Sequence, residues 1–430
     1  MQTDFHTVVI GGGCLGTAAA VAIRRRLQKR GVDTAVAVVE KLVIGSGLTA
    51  RHSGLVRAAN ADPAAAVLAT RAAAMWRNLE ATWGVPIEIE PSGALWIAKA
   101  NAQNDNPKWQ ALQAKMDVAG VAFHRLSRSQ ARQLCPPSVI LAEEEVFYHE
   151  PGAIQIDPLD VRAALYKALE VNGVTVREKT AVSGFQRGPD GRVQGVCTDA
   201  GILTCDHVVN ACGPWSPSVF ASLGIQIPVS TEAVSVVNWI TSAQDLGDQA
   251  THMPIIADYV NLAYFRAWRG GEIHMHQPRK RSVRETARVF ADNPIIAAGA
   301  DFVNAPHNQA IGHSQIKFYE DVARRRFNNI DQAVYGSGYR SYFDITPDLK
   351  FILGPDPQVG NVIHCLGAGQ SFKYAPVFGE VMADFVTGDT SYADLVPGFS
   401  IARFDQSYMR AFWNQVSGDD NSLAVEESGL

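Results

Sequence analysis

A short β-branched run, Thr7–Ile10, ends in Gly11-Gly12-Gly13-Cys14-Leu15-Gly16, and this junction constrains the fold more than any other stretch of the chain. An alanine-rich segment with an arginine-rich end, Thr17–Gln28, predicts a helix after it. A second apolar run, Ala35–Val39, predicts a strand that ends in Glu40. Strand, glycine turn, helix and strand in this order form a βαβ unit whose turn can seat a pyrophosphate. Gly11 permits the tight turn, Gly13 lets the backbone approach the phosphates, and Gly16 lets the helix pack on the strand. The helix start offers free N–H groups and a partial positive charge at the same place. Glu40 stands where a carboxylate holds ribose hydroxyls, and an acid there disfavours a 2′-phosphate. Leu15 within the turn and Lys41 beside Glu40 are counted with the cofactor-binding residues. A lone G-x-G-x-x-G is weak, but strand, helix and acid all accompany this one, so a dinucleotide is expected.

Residues 45–57 decide which dinucleotide. This run of small residues follows the second strand and contains Ser46, Ser53, Gly54 and Leu55. Such a loop can wrap a pyrophosphate and reach a flavin ring, which a nicotinamide enzyme does not require. A plain surface loop would not carry Leu55-Val56. FAD is therefore the expected cofactor.

With 430 residues the chain exceeds one ordinary core, and two lobes are expected. Pro63 to Trp83 predicts one long helix and Ser92–Ala98 a strand. Asn104 to Val121 and Ser127 to Leu134 predict further helices. Asp157 can cap, and Pro158 can open, a helix reaching Asn172. Thr175–Arg177 predicts a strand. Val182–Gln186, Arg192–Thr198 and Ile202–Cys205 alternate around glycine turns, the pattern of a β-meander. His207–Ala211 and Asn361–Leu366 predict buried strands, and Ala233 to His276 is strand-rich. Arg281 to Asp331 is mostly helical in pattern, Val334–Phe351 returns to strands, and Tyr374–Thr387 predicts a closing helix. Cofactor-binding strands thus come from both ends of the chain. The expected fold is mixed α/β and α+β. A Rossmann-type FAD-binding domain (residues 1–90, 151–230 and 335–430) is interleaved with an antiparallel-sheet substrate domain (91–150 and 231–334).

Three separated segments resemble the D-amino-acid oxidase superfamily of amine- and amino-acid-oxidising flavoproteins, and within it the sarcosine oxidase/glycine oxidase branch. The first is the glycine fingerprint with the Ser46–Arg57 loop. The second, Val208-Val209-Asn210-Ala211-Cys212-Gly213-Pro214-Trp215-Ser216, is similar to that family's VVNAAGAWS strand and turn. The third runs from Tyr342 to Glu380 and includes Thr346-Pro347-Asp348, Gly354-Pro355-Asp356-Pro357 and the stretch from Gly367 to Pro376. Aromatic-ring hydroxylases share the fingerprint but carry a late Gly-Asp-Ala, which this sequence lacks. The resemblance implies a flavin lying between the two domains with the substrate over one ring face. It places Gly213, Trp215, Gly369 and Lys373 at the cofactor, and Val182 in the segment whose backbone meets the adenine end.

The same resemblance implies that Arg57 and Lys373 hold the substrate carboxylate, Arg with its planar fork and Lys as a point charge. The bland alternative for each is a structural ion pair, although no acid adjoins Lys373 in the sequence. Tyr264 would be the substrate-contacting tyrosine; a core or lid aromatic is the other reading. Several positions depart from the family. Gln370 stands where sarcosine oxidases have histidine, and Phe343 where they have tyrosine. Ser341 replaces the cysteine that carries flavin covalently, Gln155-Ile156-Asp157 replaces a flavin-bearing histidine segment, and His52 is one position off the histidyl-linked pattern. Non-covalent FAD is expected. Ile273 falls at the position of the oxygen-activating lysine, which favours an acceptor other than O2 without excluding an oxidase.

The remaining composition excludes more than it adds. Hydrophobic residues make up 47% and charged residues 19%, and the net charge of −5 provides no basic field for nucleic acid. Met1 to His6 is polar, and no apolar stretch approaches the ~20 residues of a bilayer span, so a cytoplasmic protein without signal or membrane span is expected. The six cysteines are scattered and read as free thiols. His274 and His276 have no third ligand at metal-like spacing, and no metal is expected. Arg266, Arg269, Arg279, Lys280 and Arg281 crowd one segment. They form a solvated face, or one of them, Arg266, receives a second carboxylate. The expected activity is FAD-dependent oxidation of the C–N bond of an amino acid, secondary amines favoured, by hydride transfer to flavin. The imine formed would hydrolyse to an amine plus an aldehyde or keto acid, and a dicarboxylic imino acid such as iminodiacetate is one candidate substrate. The electron acceptor is O2 or another acceptor, and an oligomer is compatible with the sequence. An amino-acid dehydrogenase subunit serving a partner and a non-catalytic FAD-binding subunit are the competing readings.

Overall fold

The computed structural model of the chain describes residues 4–240, 253–268, 272–276, 312–405 and 407. Strand β1 (Phe5–Ile10) is buried almost throughout, which explains the apolar run Val8–Ile10 at its end. Helix α1 (Cys14–Lys29) buries its alanine face and places Arg26 and Lys29 in the last turn, where cations suit the helix dipole. Strand β2 (Val36–Val39) pairs parallel with β1, Ile10 opposite Val39. The predicted βαβ unit is therefore present.

Around it grows the first sheet. Its members are β8 (Thr175–Arg177), β9 (Val182–Arg187), β10 (Val193–Thr198), β11 (Gly201–Asn210), β17 (Ile352–Pro355) and β18 (Val362–Leu366), in the order β17-β18-β11-β1-β2-β8, with β10 and β9 leading off β11. The meander is as predicted, with one difference. The segments read as two strands, Ile202–Cys205 and His207–Ala211, form one continuous β11. Its first half pairs antiparallel with β10 and its second half parallel with β1.

The second sheet is almost wholly antiparallel. It comprises β4 (Ala94–Lys99), β5 (His124–Leu126), β6 (Glu145–Glu150), β12 (Ser230–Ile240), β13 (Ile255–Asp258), β14 (Ala263–Trp268), β15 (Glu272–His276) and β16 (Val334–Ile345). Their order is β16-β12-β15-β14-β13-β4-β6-β5. One face packs against α5 (Arg128–Leu134) and α8 (His313–Arg326) through Leu95, Ile97, Phe147, Phe265 and Phe327. The other face, with Ala94, Trp96, Tyr148 and Tyr264, belongs to the same core as α1. A two-stranded ribbon, β3 (Leu55–Val56) with β7 (Ile154–Gln155), ties the early loop to the chain that follows β6. Strand β6 was not predicted. Both of its faces are buried, so its sequence shows no period-two alternation.

Helix ends follow their caps. The stretch predicted as one helix, Pro63 to Trp83, breaks at Asn78 into α2 (Pro63–Arg77) and α3 (Leu79–Trp83), and the Asp62 carboxylate caps the first of these. Asn106 delays the start of α4 to Pro107–Val118, and Asp157 caps α6 (Pro158–Val171) as predicted. The short α7 (Ser216–Phe220) follows the β11 turn. The last helix, α9 (Ser371–Thr387), begins before the predicted Tyr374 and runs through Pro376. It lies on α1 so closely that a Cβ on Gly379 would stand 2.4 Å from the Ala18 carbonyl oxygen. Arg26 of α1 also pairs with Glu380 at 2.7 Å and Asp384 at 2.9 Å of α9. Of the helical region predicted between Arg281 and Asp331, α8 is the part described. Arg269, Arg279, Lys280 and Arg281, and the side chains of Ile273, His274, His276 and Ser341, lie outside the described residues. No helix among the described residues is long and apolar enough to cross a membrane.

Candidate active site

The glycine turn has the shape a pyrophosphate requires. Gly11 adopts φ +108°, and a Cβ there would lie 2.4 Å from the Ala211 carbonyl oxygen. A Cβ on Gly16 would lie 1.8 Å from the Gly11 carbonyl oxygen, so only glycine lets α1 approach this closely. At Gly13 the tightest neighbour of a Cβ would be Thr49 Oγ1 at 3.2 Å. Glu40 secures the turn from below, accepting hydrogen bonds from the N–H groups of Gly12 and Leu42, both at 2.8 Å. The backbone of Lys179 and Thr180, just before Val182, bonds to the carbonyls of Leu42 and Glu40. Lys41 lies over the Trp215 ring at 3.9 Å, and burial pushes its pKa down to about 8, against the pull of Glu40. Asn210 at the end of β11 fixes the Cys212–Ser216 turn: its Oδ1 accepts from Cys212 N–H at 3.1 Å and Ser216 Oγ at 2.9 Å.

The 45–57 loop closes over this turn. Cys14 N–H donates to Thr49 Oγ1 at 2.9 Å, and Gly54, at φ +69°, passes so near Ile156 that a Cβ would meet its carbonyl oxygen at 2.1 Å. His52 accepts a bond from Gly54 N–H at 2.8 Å and stacks on Phe372 at 3.7 Å. Burial, helped by Arg266, lowers the His52 pKa to about 3, so the ring is neutral. Opposite stands the start of α9, preceded by a second glycine turn. Buried Asp344 of β16 accepts from the N–H groups of Gly367 at 3.2 Å and Gly369 at 2.9 Å. Gln370 immediately precedes α9, its N–H donating to the Gly367 carbonyl at 2.8 Å. Lys41 Nζ, Ser46 Oγ and His52 Nε2 are buried along this path without a hydrogen-bond partner in the protein. Phosphate-sized glycine turns, a helix start free of acidic residues and these polar atoms fit FAD.

Beyond the loop the chain turns a cationic pair toward the second sheet. Arg57 lies with its guanidinium carbon 4.7 Å from the Trp96 ring and 5.2 Å from the Tyr264 ring, and donates to the Ala59 carbonyl at 3.1 Å. Burial opposes its charge, but Tyr264, Tyr259, Glu150 and Tyr374 hold its pKa above the usual value. Lys373, in the first turn of α9, is buried with Nζ 4.8 Å from the Tyr374 ring and without a hydrogen-bond partner in the protein. Its carbonyl accepts from Trp76 Nε1 at 3.2 Å. Burial first, and Arg57 second, push the Lys373 pKa well down, with Glu150 opposing. Among the described residues no carboxylate lies within 4 Å of either cation. Tyr264 shares a hydrogen bond of 2.8 Å with Tyr259.

The structure thus brings Arg57, Lys373 and Tyr264 together. Arg266 sits two residues further along β14, on the same sheet face as Tyr264, and packs against the loop: its Nη1 is 3.1 Å from where a Gly54 Cβ would be. Burial lowers its pKa to about 9, with Tyr339, Asp157 and Glu90 opposing. Four contributors escaped the sequence reading: Trp96, Glu150, Tyr259 and Asp344. Each lies on a strand or strand end of the second sheet, and only the pairing of Ala94 with Glu150, of Trp96 with Ala257 and of Ala257 with Tyr264 aligns three of them beneath Arg57. A buried acid in Tyr148-His149-Glu150 was the available signal.

Comparison with known proteins gives one family match, one curated relative and two solved structures. A family model described as DAO, FAD dependent oxidoreductase, matches residues 6–385. The 4-methylaminobutanoate oxidase (formaldehyde-forming) of Paenarthrobacter nicotinovorans is 24% identical over 94% of this chain and 46% of its own length. Among solved structures, L-proline dehydrogenase from P. horikoshii superposes with a TM-score of 0.77 at 20% identity, covering 95% of this chain and 99% of that one. Iminodiacetate oxidase from Chelativorans sp. BNC1 superposes with a TM-score of 0.71 at 18% identity, covering 92% and 98%. The chain spans about half the length of the curated relatives it matches.

Proposed function

The chain belongs to the DAO family of FAD-dependent oxidoreductases, and from that premise we propose that it oxidises the C–N bond of a secondary amino acid held by its carboxylate between Arg57 and Lys373. The observation that carries the reading is the buried cation pair walled by Trp96, Tyr264 and Tyr374. Two neighbouring cations with one nearby acid, Glu150, and no carboxylate in ion-pair contact are costly to bury, and an incoming carboxylate relieves that cost. The glycine turn at Gly11–Gly16 and the 45–57 loop would hold FAD non-covalently, and FAD would supply a two-electron acceptor for the carbon beside nitrogen. Arg57 and Lys373 orient the substrate, the aromatic walls exclude water, and the Tyr264–Tyr259 pair borders the same pocket. The oxidised substrate is an imine, which hydrolyses to an amine plus an aldehyde or keto acid.

A secondary amine is favoured because the similar proteins are named for the oxidation of a methylamino acid, proline and iminodiacetate. Arg266 extends the reading to dicarboxylic imino acids: it is a third buried cation, on the same side of β14 as Tyr264. Arg266→Ala is expected to slow iminodiacetate-type substrates more than N-methylglycine; equal loss on both would remove Arg266 from the specificity site.

The deciding experiment is anaerobic reduction of the visible flavin band by N-alkylglycines, iminodiacids, D-amino acids and proline analogues. Bleaching by the secondary amines supports the proposal, and admitting air then distinguishes O2 from another acceptor. Bleaching by dithionite alone would overturn it in favour of a non-catalytic or partner-dependent flavoprotein.

A further inference from the structure

Glu150 ends β6 and is 1% exposed, yet no step above uses it. Its Oε1 accepts the N–H of Ala58, the residue after Arg57. Its Oε2 accepts Nε1–H of Trp96 at 3.2 Å, and the Trp96 ring is the surface on which the Arg57 guanidinium lies at 4.7 Å. One carboxylate therefore holds both the peptide that carries Arg57 and the ring that supports it. The backbone pairing explains how: Glu150 faces Ala94, two residues before Trp96 on the neighbouring strand, so the side chains of Glu150 and Trp96 share one face.

We propose that Glu150 is the positioning residue of the carboxylate-binding pair, acting through Arg57, a role that rests on the reading of Arg57 and Lys373 as that pair. Two effects compete when its charge is removed. Coulomb attraction for an incoming carboxylate rises, because an anion leaves the neighbourhood of two cations. Against that, Glu150 makes no direct ion pair with either cation, whereas its bonds to Ala58 and Trp96 are direct. A glutamine there turns one acceptor into an NH2 group that faces an N–H donor, so one of the two holds is lost. The loss of geometry outweighs the gain in attraction.

The test uses the FAD-loaded full chain and two probes that cannot be oxidised at a C–N bond beside a carboxylate: methylthioacetate, the thioether analogue of N-methylglycine, and its neutral amide. Binding is read from the perturbed visible flavin spectrum. The unaltered protein is expected to prefer the carboxylate; absence of that preference would overturn the Arg57–Lys373 reading itself. Glu150→Gln is expected to keep its flavin, bind the amide unchanged and bind the carboxylate about 10-fold to 100-fold more weakly. Substrate KM should rise more than kcat falls. The double variant with Arg57→Met should be no weaker than Arg57→Met alone. The proposal is overturned, with the carboxylate preference of the unaltered protein intact, by equal or tighter carboxylate binding in Glu150→Gln, by equal loss of both probes, or by additive losses. Should Glu150→Gln not retain flavin, Trp96→Phe keeps a ring under Arg57 and removes the Nε1–H donor. A carboxylate-selective loss of about threefold to tenfold supports the proposal, and no loss overturns it.

Discussion

Lys373 and Gly54 show two ways in which single residues govern this site. Lys373 is charged at a cost, since burial and Arg57 both push its proton off. On the proposed function, a bound carboxylate would reverse that balance. Methylthioacetate, which has no amine of its own to titrate, should therefore bind more weakly as pH rises, because Lys373 loses its proton in that direction. Lys373→Met should flatten the dependence and weaken binding about 10-fold to 100-fold. A pH slope that survives in the variant would assign the proton to another group. Gly54 acts by geometry alone. At φ +69°, with the Ile156 carbonyl oxygen 2.1 Å from a would-be Cβ, any side chain must displace the loop. Gly54→Ala should purify with a markedly lower flavin content, measured by the ratio of visible to ultraviolet absorbance.

At the scale of elements, the start of α9 is held by partners distant in sequence. Asp344 gathers the Gly367 and Gly369 N–H groups, and Trp76 of α2 binds the Lys373 carbonyl. Asp344→Ala leaves the buried Gly367 N–H and the half-buried Gly369 N–H without their acceptor, an expected cost of about 2–4 kcal/mol in thermal or chemical unfolding with loss of flavin. Unchanged stability would show that the turn holds itself. The cap of α6 was legible in sequence because a cap is a contact over two or three residues, as at Asp157 and Leu159. The break at Asn78 and the fusion of two predicted strands into β11 were not. The break leaves no Gly or Pro to mark it, and β11 exchanges one set of partners for another along its length.

Across the described molecule, early and late segments meet in α1, α9 and the first sheet, so the glycine turn and the global fold share the same core. Two histidines in that sheet set an acid limit. His207 is pushed down to about 4 by burial, with His6 and Arg192 adding to the effect, and His6, stacked on it at 5.3 Å, is lowered by burial too. A histidine whose folded pKa lies below its unfolded value of about 6.5 binds its proton first in the unfolded chain. The stability it contributes is complete above about pH 6.5 and lost as pH falls toward about 4. The melting temperature should fall over that window less steeply in His207→Gln than in the unaltered chain; parallel curves would place the acid-sensitive group elsewhere.

The sequence alone determined the cofactor unit, because its interactions are short-range: Gly11 to Gly16, Glu40 beneath them and the caps all act across one turn or one crossover. The family resemblance singled out Arg57, Tyr264 and Lys373 as candidates, and the tertiary structure brings the three together. What surrounds them was decided by tertiary structure. Trp96, Glu150 and Tyr259 converge on Arg57 through sheet register, and a strand buried on both faces has no alternation to announce which side chains face the pocket. Register is fixed by neighbouring strands far away in the chain, so the support of the site exists only once the second sheet has formed.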